Sequence, residues 1–567
     1  MKKSIIYALA ASALVLTGCD DFLDKDMRSG FTNNPAFWNN ANNVQTYLNT
    51  MYGDFSGYGQ GGSGGWFYFK SLSDDQANPN FDNWEFTTIP QKSSYWSASF
   101  EEVRRANYMI TGVEGSTLTD DEKANFLGIA RLYRAWEYWQ LVRFYGDVQW
   151  MDKVVTSPDD EAVYGERLDR DLVVDKIIED LDFAIANIAA ETSDNAFSKD
   201  LARAIKSDVC LFEGTFCKYR TKAENNLEPN MDRAKKYLNL CVATNAELMG
   251  RYSLTENYGD IYNSIDLSGN SEVIFYRNYK KDVQGHSTVD YTTGSTAQRG
   301  ITRDAVEAFL FRDGKPLATT TLDKSDKPEL VDGKLSIAKM LSNRDKRLSV
   351  IIDPYVCLAG YGWSRDASVG LAEMTSSTGY TVAKYYSDQL GDASTAVYYR
   401  QNIGTGYTDA PLFWLAVIYL NDAEARAELG TISQSDLDAT INKLMARADL
   451  PALTTSPAAD PANNHGVSNL LWEIRRCRRC ELMTDNWYRY WDLVRWHQLD
   501  KLDSNKYPNI NLGANMEGIT YEGKLQGGYV VATGATRKFD KKYYLFPVPA
   551  NETGLNANCT QNFGWGE

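Results

Sequence analysis

Phe126–Val148 reads FLGIARLYRAWEYWQLVRFYGDV. Phe126, Ala130, Tyr133 and Leu141 recur at helical spacing, so one face of this segment is apolar. Asp120 and Asp121 stand in front of it, where acids complement the positive end of a helix, and Gly146 follows Tyr145 as a stop. The spacing predicts one long helix over residues 121–145.

Similar patterns lie on both sides. Helices are expected over 42–55, where Val44, Tyr47, Leu48 and Met51 share a face, and over 97–111. Further ones are expected over 168–190, 199–219 and 231–249. Large and small residues alternate on their inner faces. That is the logic of tetratricopeptide-like helix pairs, although no strict repeat of about 34 residues is visible. Helices resume at 412–429, 434–448, 469–483 and 487–497. Residues 20–40 read as an extended lead, and the last seventy residues read as irregular. Between about 250 and 410 the chain is rich in Tyr, Thr, Ser and Gly, which predicts long loops, short strands and isolated helices. The helical scaffold is therefore placed at about 42–249 and 412–497, with a variable, loop-rich region at about 250–410. No Pro/Ser-rich linker divides the chain, so residues 19–567 read as a single body.

The start of the chain has a different character. Lys2 and Lys3 precede an apolar run, Ile5 to Leu16, that is too short to span a membrane. Leu16-Thr17-Gly18-Cys19 closes it and resembles the lipobox of bacterial lipoproteins. Residues 1–18 then form a signal peptide, and the Cys19 thiol is the nucleophile that accepts the lipid. A body tethered outside the cell at the outer membrane is expected. The net charge of −16 becomes −18 once Lys2 and Lys3 leave with the leader. Such a field disfavours nucleic acid and anionic membrane surfaces and suits a neutral ligand. Seven cysteines remain beyond Cys19, an odd number with scattered spacing, so no disulfide framework is expected.

The common catalytic motifs find no support. Residues 59–64 match GxGxxG and residues 61–65 match GxSxG, but neither has the strand before and helix after that such sites require. Both are read as a flexible glycine loop. Cys477-Arg478-Arg479-Cys480 lies inside a predicted helix, with no second CxxC or nearby His to complete a zinc site. The three histidines, His286, His465 and His497, are far apart. No cofactor, metal or catalytic residue is expected, although a pair of carboxylates of the glycosidase kind is not excluded by sequence. The positive signal is aromatic: 14 Trp, 35 Tyr and 22 Phe. Many sit in polar loops, among them Trp66, Tyr68, Phe81, Trp84, Tyr291, Tyr361, Trp363 and Tyr380. Rings there can stack on the apolar C–H face of a sugar while Asn, Asp and Arg bond its hydroxyls. The ligand-binding candidates are Trp66, Asn83, Trp84, Tyr291, Arg299 and Trp363, with Trp84 and Trp363 as the main platforms.

Several segments together resemble the SusD/RagB family of Bacteroidetes outer-membrane lipoproteins. Cys19-Asp20-Asp21-Phe22-Leu23-Asp24 is similar to that family's mature start. WSASFEEVRRANYMI at 96–110, the 126–148 helix, WLAVIYLNDAEARAELG at 414–430 and INKLMARADL at 441–450 match its helices. Residues 478–482 with 489–496, and Phe546-Pro547-Val548-Pro549 followed by Asn556, Gln561, Asn562, Gly564 and Trp565, match its C-terminal part. Phe100 stands where Tyr is usual, Trp414 where Arg is usual, Cys477 where Glu is usual, and Asp485-Asn486 where Glu-Gly is common. The resemblance implies a mostly α fold, with four tetratricopeptide-like helix pairs packed against an irregular ligand-binding face. It implies a non-enzymatic, cell-surface glycan-binding lipoprotein that delivers oligosaccharide or polysaccharide to a SusC-like TonB-dependent transporter. A peptide-binding member of the same uptake system is the alternative, and a surface glycoside hydrolase a more remote one.

Overall fold

The computed structural model describes residues 34–79, 83–157, 160–192, 195–292, 298–358, 376–390 and 402–566. Cys19 and Trp363, together with Phe81 and Tyr361, lie outside the described residues. The long helices are α1 (Ala41–Asn49), α2 (Ser94–Glu114), α3 (Asp120–Tyr145), α4 (Arg170–Asn187), α5 (Lys199–Tyr219), α6 (Met231–Met249), α7 (Leu415–Leu429), α8 (Asn469–Glu481) and α9 (Tyr488–Arg495). The strands are two to five residues long, so the fold is mostly α.

α3 begins on a capping box. The Thr119 side chain accepts from the Glu122 backbone N–H, and the Glu122 carboxylate accepts from the Thr119 N–H. It ends at Gly146, whose φ of 72° suits glycine. Its buried residues fall on nearly every side, because α3 packs between α2 and α4. Consecutive helices continue the stack: α4 on α5, α5 on α6, α6 on α7 and α7 on α8. Gly214 of α5 lies against Leu238 of α6, where a Cβ would meet the leucine Cγ at 2.8 Å. That is the large-against-small packing expected of tetratricopeptide-like pairs. Arg134 of α3 clamps Asp180 of α4 through two bonds of 2.8 Å.

The variable region is less open than its composition suggests. β4 (Val273–Arg277) pairs antiparallel with β8 (Ala410–Trp414), and β3 (Gln76–Ala77) with β5 (Gly300–Ile301). Ile274, Phe275, Ile301, Phe309, Ile351 and Tyr385 from this region join one buried cluster that runs from Trp38 to Cys559. The remaining strands form a hairpin, β6 (Glu329–Val331) with β7 (Lys334–Ser336), and a three-stranded sheet of β9 (Leu512–Asn515), β10 (Leu525–Gln526) and β11 (Tyr529–Val531).

Some expectations need correction. Leu412 to Trp414 is strand, not helix, because Trp414 pairs with Val273 and Phe413 with Phe275 before the chain turns into α7. The helix expected at 434–448 breaks at Thr440 into Gln434–Ala439 and Ile441–Arg447. Pro35–Trp38 is a short helix capped by the Asn34 side chain, inside the stretch read as extended. The glycine stretch is no flexible loop: β1 (Gly59–Gln60) and β2 (Ser63–Gly64) form a hairpin. Its Gly61 N–H donates to Gly285 O at 2.8 Å, and its Gly61 carbonyl accepts from Ser287 at 2.7 Å. Cys477 and Cys480 are free and buried inside α8, and burial pushes the Cys477 thiol up to about 11, so neither is a ready nucleophile.

Candidate functional site

The hairpin β1–β2 delivers the chain into residues 66–70, which sit between the helical scaffold and the variable region. The Tyr68 N–H donates to Thr484 O at 2.9 Å and ties this segment to the turn before α9. Tyr68, Thr484 and Trp487 all adopt left-handed backbone, with φ of 57°, 66° and 58°. Such conformations persist in non-glycine residues only where the surroundings enforce them, and they concentrate at functional sites.

Two neighbourhoods meet at this segment. On one side, the half-buried Trp66 ring stands edge-on to Trp487, with centroids 6.0 Å apart, and to Phe144 at 6.1 Å. Lys70 Nζ lies 5.0 Å from the rings of Trp487 and Tyr95, and 3.4 Å from Glu85. The Tyr95 hydroxyl donates to the same carboxylate at 2.6 Å. On the other side, the half-buried Phe69 ring meets Tyr291 edge-on at 5.1 Å. The Tyr68 hydroxyl donates to Arg299 O at 3.4 Å, and Arg299 Nε donates to Ser71 at 2.7 Å. Partly exposed rings thus flank residues 66–70 as a divided aromatic ledge, Trp66 on one side with Lys70 and Glu85, and Phe69 with Tyr291 on the other near Arg299. A sugar needs both: apolar ring faces for its C–H groups and polar groups for its hydroxyls.

The sequence candidates divide accordingly. Trp66, Tyr291 and Arg299 are brought together around residues 66–70. Asn83 is exposed, two residues before Glu85, and its side-chain oxygen accepts from the Trp84 N–H at 2.8 Å. Trp84 itself is buried, 6% exposed, stacked on Tyr543 at 4.2 Å, with its indole N–H donating to Lys538 O at 2.8 Å. Both its ring and its donor are engaged in holding its loop to the C-terminal segment. Sequence reasoning missed Phe69, Lys70, Glu85 and Tyr95. Phe69 was legible as the end of the aromatic run from Trp66, whereas Tyr95 reads as an ordinary helix start.

The ion pairs of α9 are set by distant partners as well as by spacing. Helical spacing places Arg489 beside Asp492, but Arg489 instead reaches Asp74, while Asp492 is shared by Arg495 and Arg478 at 2.9 Å each. Arg489 lies in the first turn of α9 and reaches a buried carboxylate on a loop that sequence spacing cannot anticipate.

Comparison with known proteins follows the same lines. Residues 271–565 match the family described as the SusD family, and residues 21–211 match one described as "Starch-binding associating with outer membrane". The chain belongs to the SusD family. It is 22% identical over 511 residues to SusD-like protein P38 of Formosa agariphila, covering 87% of this chain and 92% of that protein. Among solved structures, a SusD-like carbohydrate binding protein from Bacteroides fragilis superposes with a TM-score of 0.67 at 20% identity, over 92% of this chain and 100% of that one. A laminarin binding SusD-like protein superposes with a TM-score of 0.53 at 17% identity, over 92% of this chain and 98% of that one. At these identities the structural likeness carries the fold.

Proposed function

We propose that this protein captures glycan at the outer membrane and passes it to a SusC-like TonB-dependent transporter. The match to a family described as starch-binding and associated with the outer membrane carries this reading. The ledge of Trp66, Phe69 and Tyr291 supplies a site whose chemistry suits sugars, with Asn83, Glu85 and Arg299 for hydroxyls. Trp363 remains a candidate second platform. Cys19 would hold the lipid. No helix among the described residues is long and apolar enough to cross a membrane, in keeping with attachment through an acyl group. The protein acts by binding rather than by turnover.

The test is a glycan array on the full chain without its leader, followed by calorimetry on the best ligand. Trp66→Ala with Tyr291→Ala should abolish measurable binding in a folded protein. Binding of peptides but of no glycan, or release of shorter oligosaccharides from the ligand, would replace this reading with one of its two alternatives.

A further inference from the structure

α8 presents Trp472, Arg475, Arg476 and Arg479 at helical spacing along one face. The helix Arg303–Ala308 and the loop at Ala462 and His465 face it, as do Arg489 of α9 and the following Trp496, Gln498 and Lys501. Together they line a half-open cavity of about 150 Å³, room for about five water molecules. It shares no lining residue with the aromatic ledge, and the sequence reading gave its residues no role beyond structure.

Most of its cations are committed elsewhere. Arg476 is bonded to Asp460 and Glu473, Arg479 to Asp75 and Asp304, and Arg489 to Asp74. Arg475 is different. Its Nη2 donates to Glu428 at 2.7 Å and its Nε lies 3.7 Å from Glu424, too far to bond, so Nε and Nη1 have no hydrogen-bond acceptor although the residue is only 4% exposed. The Trp496 ring lies 4.4 Å from its guanidinium and Tyr219 5.1 Å, so rings cover its faces and only its donor edge is left to bond. The half-buried Lys501 has no carboxylate within ion-pair distance among the described residues; its Nζ lies 5.5 Å from the Tyr507 ring. His465 stacks on Trp472 at 6.1 Å, and its Nε2 is buried without a partner.

We propose that this cavity binds a small oxyanion, a carboxylate or sulfate group, free or carried on a sugar. Buried donors left unmatched are costly, and either spare N–H, on its own edge of the guanidinium, can donate to one oxygen of such a group. Lys501 adds the countercharge that no carboxylate supplies, and Trp472 offers a flat wall for the remainder of a larger ligand. The acids nearby are each held by other cations: Asp304 by Arg479 at 2.8 Å, Glu307 by Arg303 at 2.6 Å, and, beside Arg475, Glu424 by Arg495 at 2.6 Å and Glu428 by Lys218 at 2.7 Å. Burial and the cations Lys501, Arg489 and Arg475, opposed by Asp500, hold the His465 imidazole near 4, hence neutral, and an anion among them would raise it. The inference stands whether or not the aromatic ledge binds glycan.

The test uses the full chain without its leader, at low ionic strength and pH 7, titrated calorimetrically with sodium sulfate, sodium glucuronate and glucose. Both anions should bind and glucose should not. Equal affinities would mean that the charged group alone is recognised, and tighter glucuronate that the sugar also touches Trp472. Lys501→Ala and His465→Gln, at half-buried positions outside the ion-pair network, should each weaken the anion at least tenfold, whereas Trp66→Ala should change nothing. The His465 ring protons, assignable among three histidines by the His465→Gln variant, should move on anion addition and titrate at higher pH. Failure of both anions to bind more tightly than glucose, or binding indifferent to Lys501 and His465, overturns the proposal and leaves the cavity to water.

Discussion

Arg489 holds Asp74 through two parallel hydrogen bonds, both 2.7 Å long, between the first turn of α9 and the loop that precedes β3. Asp74 is fully buried, and Arg479 lies on its other side at 3.3 Å. Burial pushes the Asp74 carboxyl up, but the two guanidinium groups outweigh it and hold the group far below the usual carboxylate range. Removing Arg489 takes away both short hydrogen bonds to a buried charge and leaves it only Arg479 at 3.3 Å, so Arg489→Ala should cost about 3 kcal/mol and lower Tm at pH 7. A depressed carboxyl stabilises above its unfolded value and loses that contribution as pH falls below about 4. The gap in Tm between Arg489→Ala and wild type should therefore narrow in scanning calorimetry between pH 5 and pH 3.

Trp84 and Trp66 should separate in their effects. Trp84→Ala empties a buried slot against Tyr543 and should destabilise by about 3–5 kcal/mol. Trp66→Ala, at a half-buried ring, should cost little stability and about 1–3 kcal/mol of glycan affinity. Thermal melts with calorimetry on both variants check the pair, and an affinity loss for Trp84→Ala at unchanged Tm would return that ring to the site.

Lys384 is wholly buried, donating to both Asp485 carboxylate oxygens at 2.7 and 2.8 Å and to Met483 O at 3.0 Å. Lys384→Met alone should destabilise by about 3–5 kcal/mol, because it leaves Asp485 buried without its partner. Adding Asp485→Asn should restore part of that loss. Chemical denaturation of the single and double variants measures the coupling, and strictly additive costs would contradict it.

Asp290 joins the two variable segments that flank the glycine hairpin: its carboxylate accepts from Gly404 N at 3.1 Å. Burial pushes its carboxyl up to about 7. A raised carboxyl binds its proton more tightly folded than unfolded, so its contribution is present at pH 4 and lost as pH climbs through 7. Hydrogen exchange at Gly404 should accelerate between pH 5 and pH 8 beyond the intrinsic rise in wild type, and Asp290→Asn should remove that excess.

The scaffold was legible because its signal is local. The helices at 199–219 and 231–249 emerge with the boundaries that their apolar spacing predicts. Thr440 and the Leu412–Trp414 strand were not, since a kink and a pairing with Val273 are settled by distant partners rather than by spacing. The site was half legible for the same reason. Aromatic residues in polar loops are easy to find, but whether a ring faces solvent depends on what packs over it. Trp66 stays partly open, while Tyr543, from the far end of the chain, covers Trp84. The cavity beneath α8 was hidden altogether, because an arginine's spare donors show only after its acceptors are counted in space.

The ion pairs of α8 and α9 also bear on how the protein is made. Arg479 and Arg489 meet Asp75 and Asp74 across 404 and 415 positions of sequence. A chain that emerges from its N-terminus thus carries two buried-to-be aspartates for most of its synthesis with nothing to neutralise them. Closure over that loop must wait until α8 and α9 have emerged, and contacts of such long range slow folding. Premature release of a shortened chain would leave the loop before β3 charged, open and within reach of proteases. The arrival of α8 and α9 is in this way checked by the fold itself, at a loop that borders the aromatic ledge.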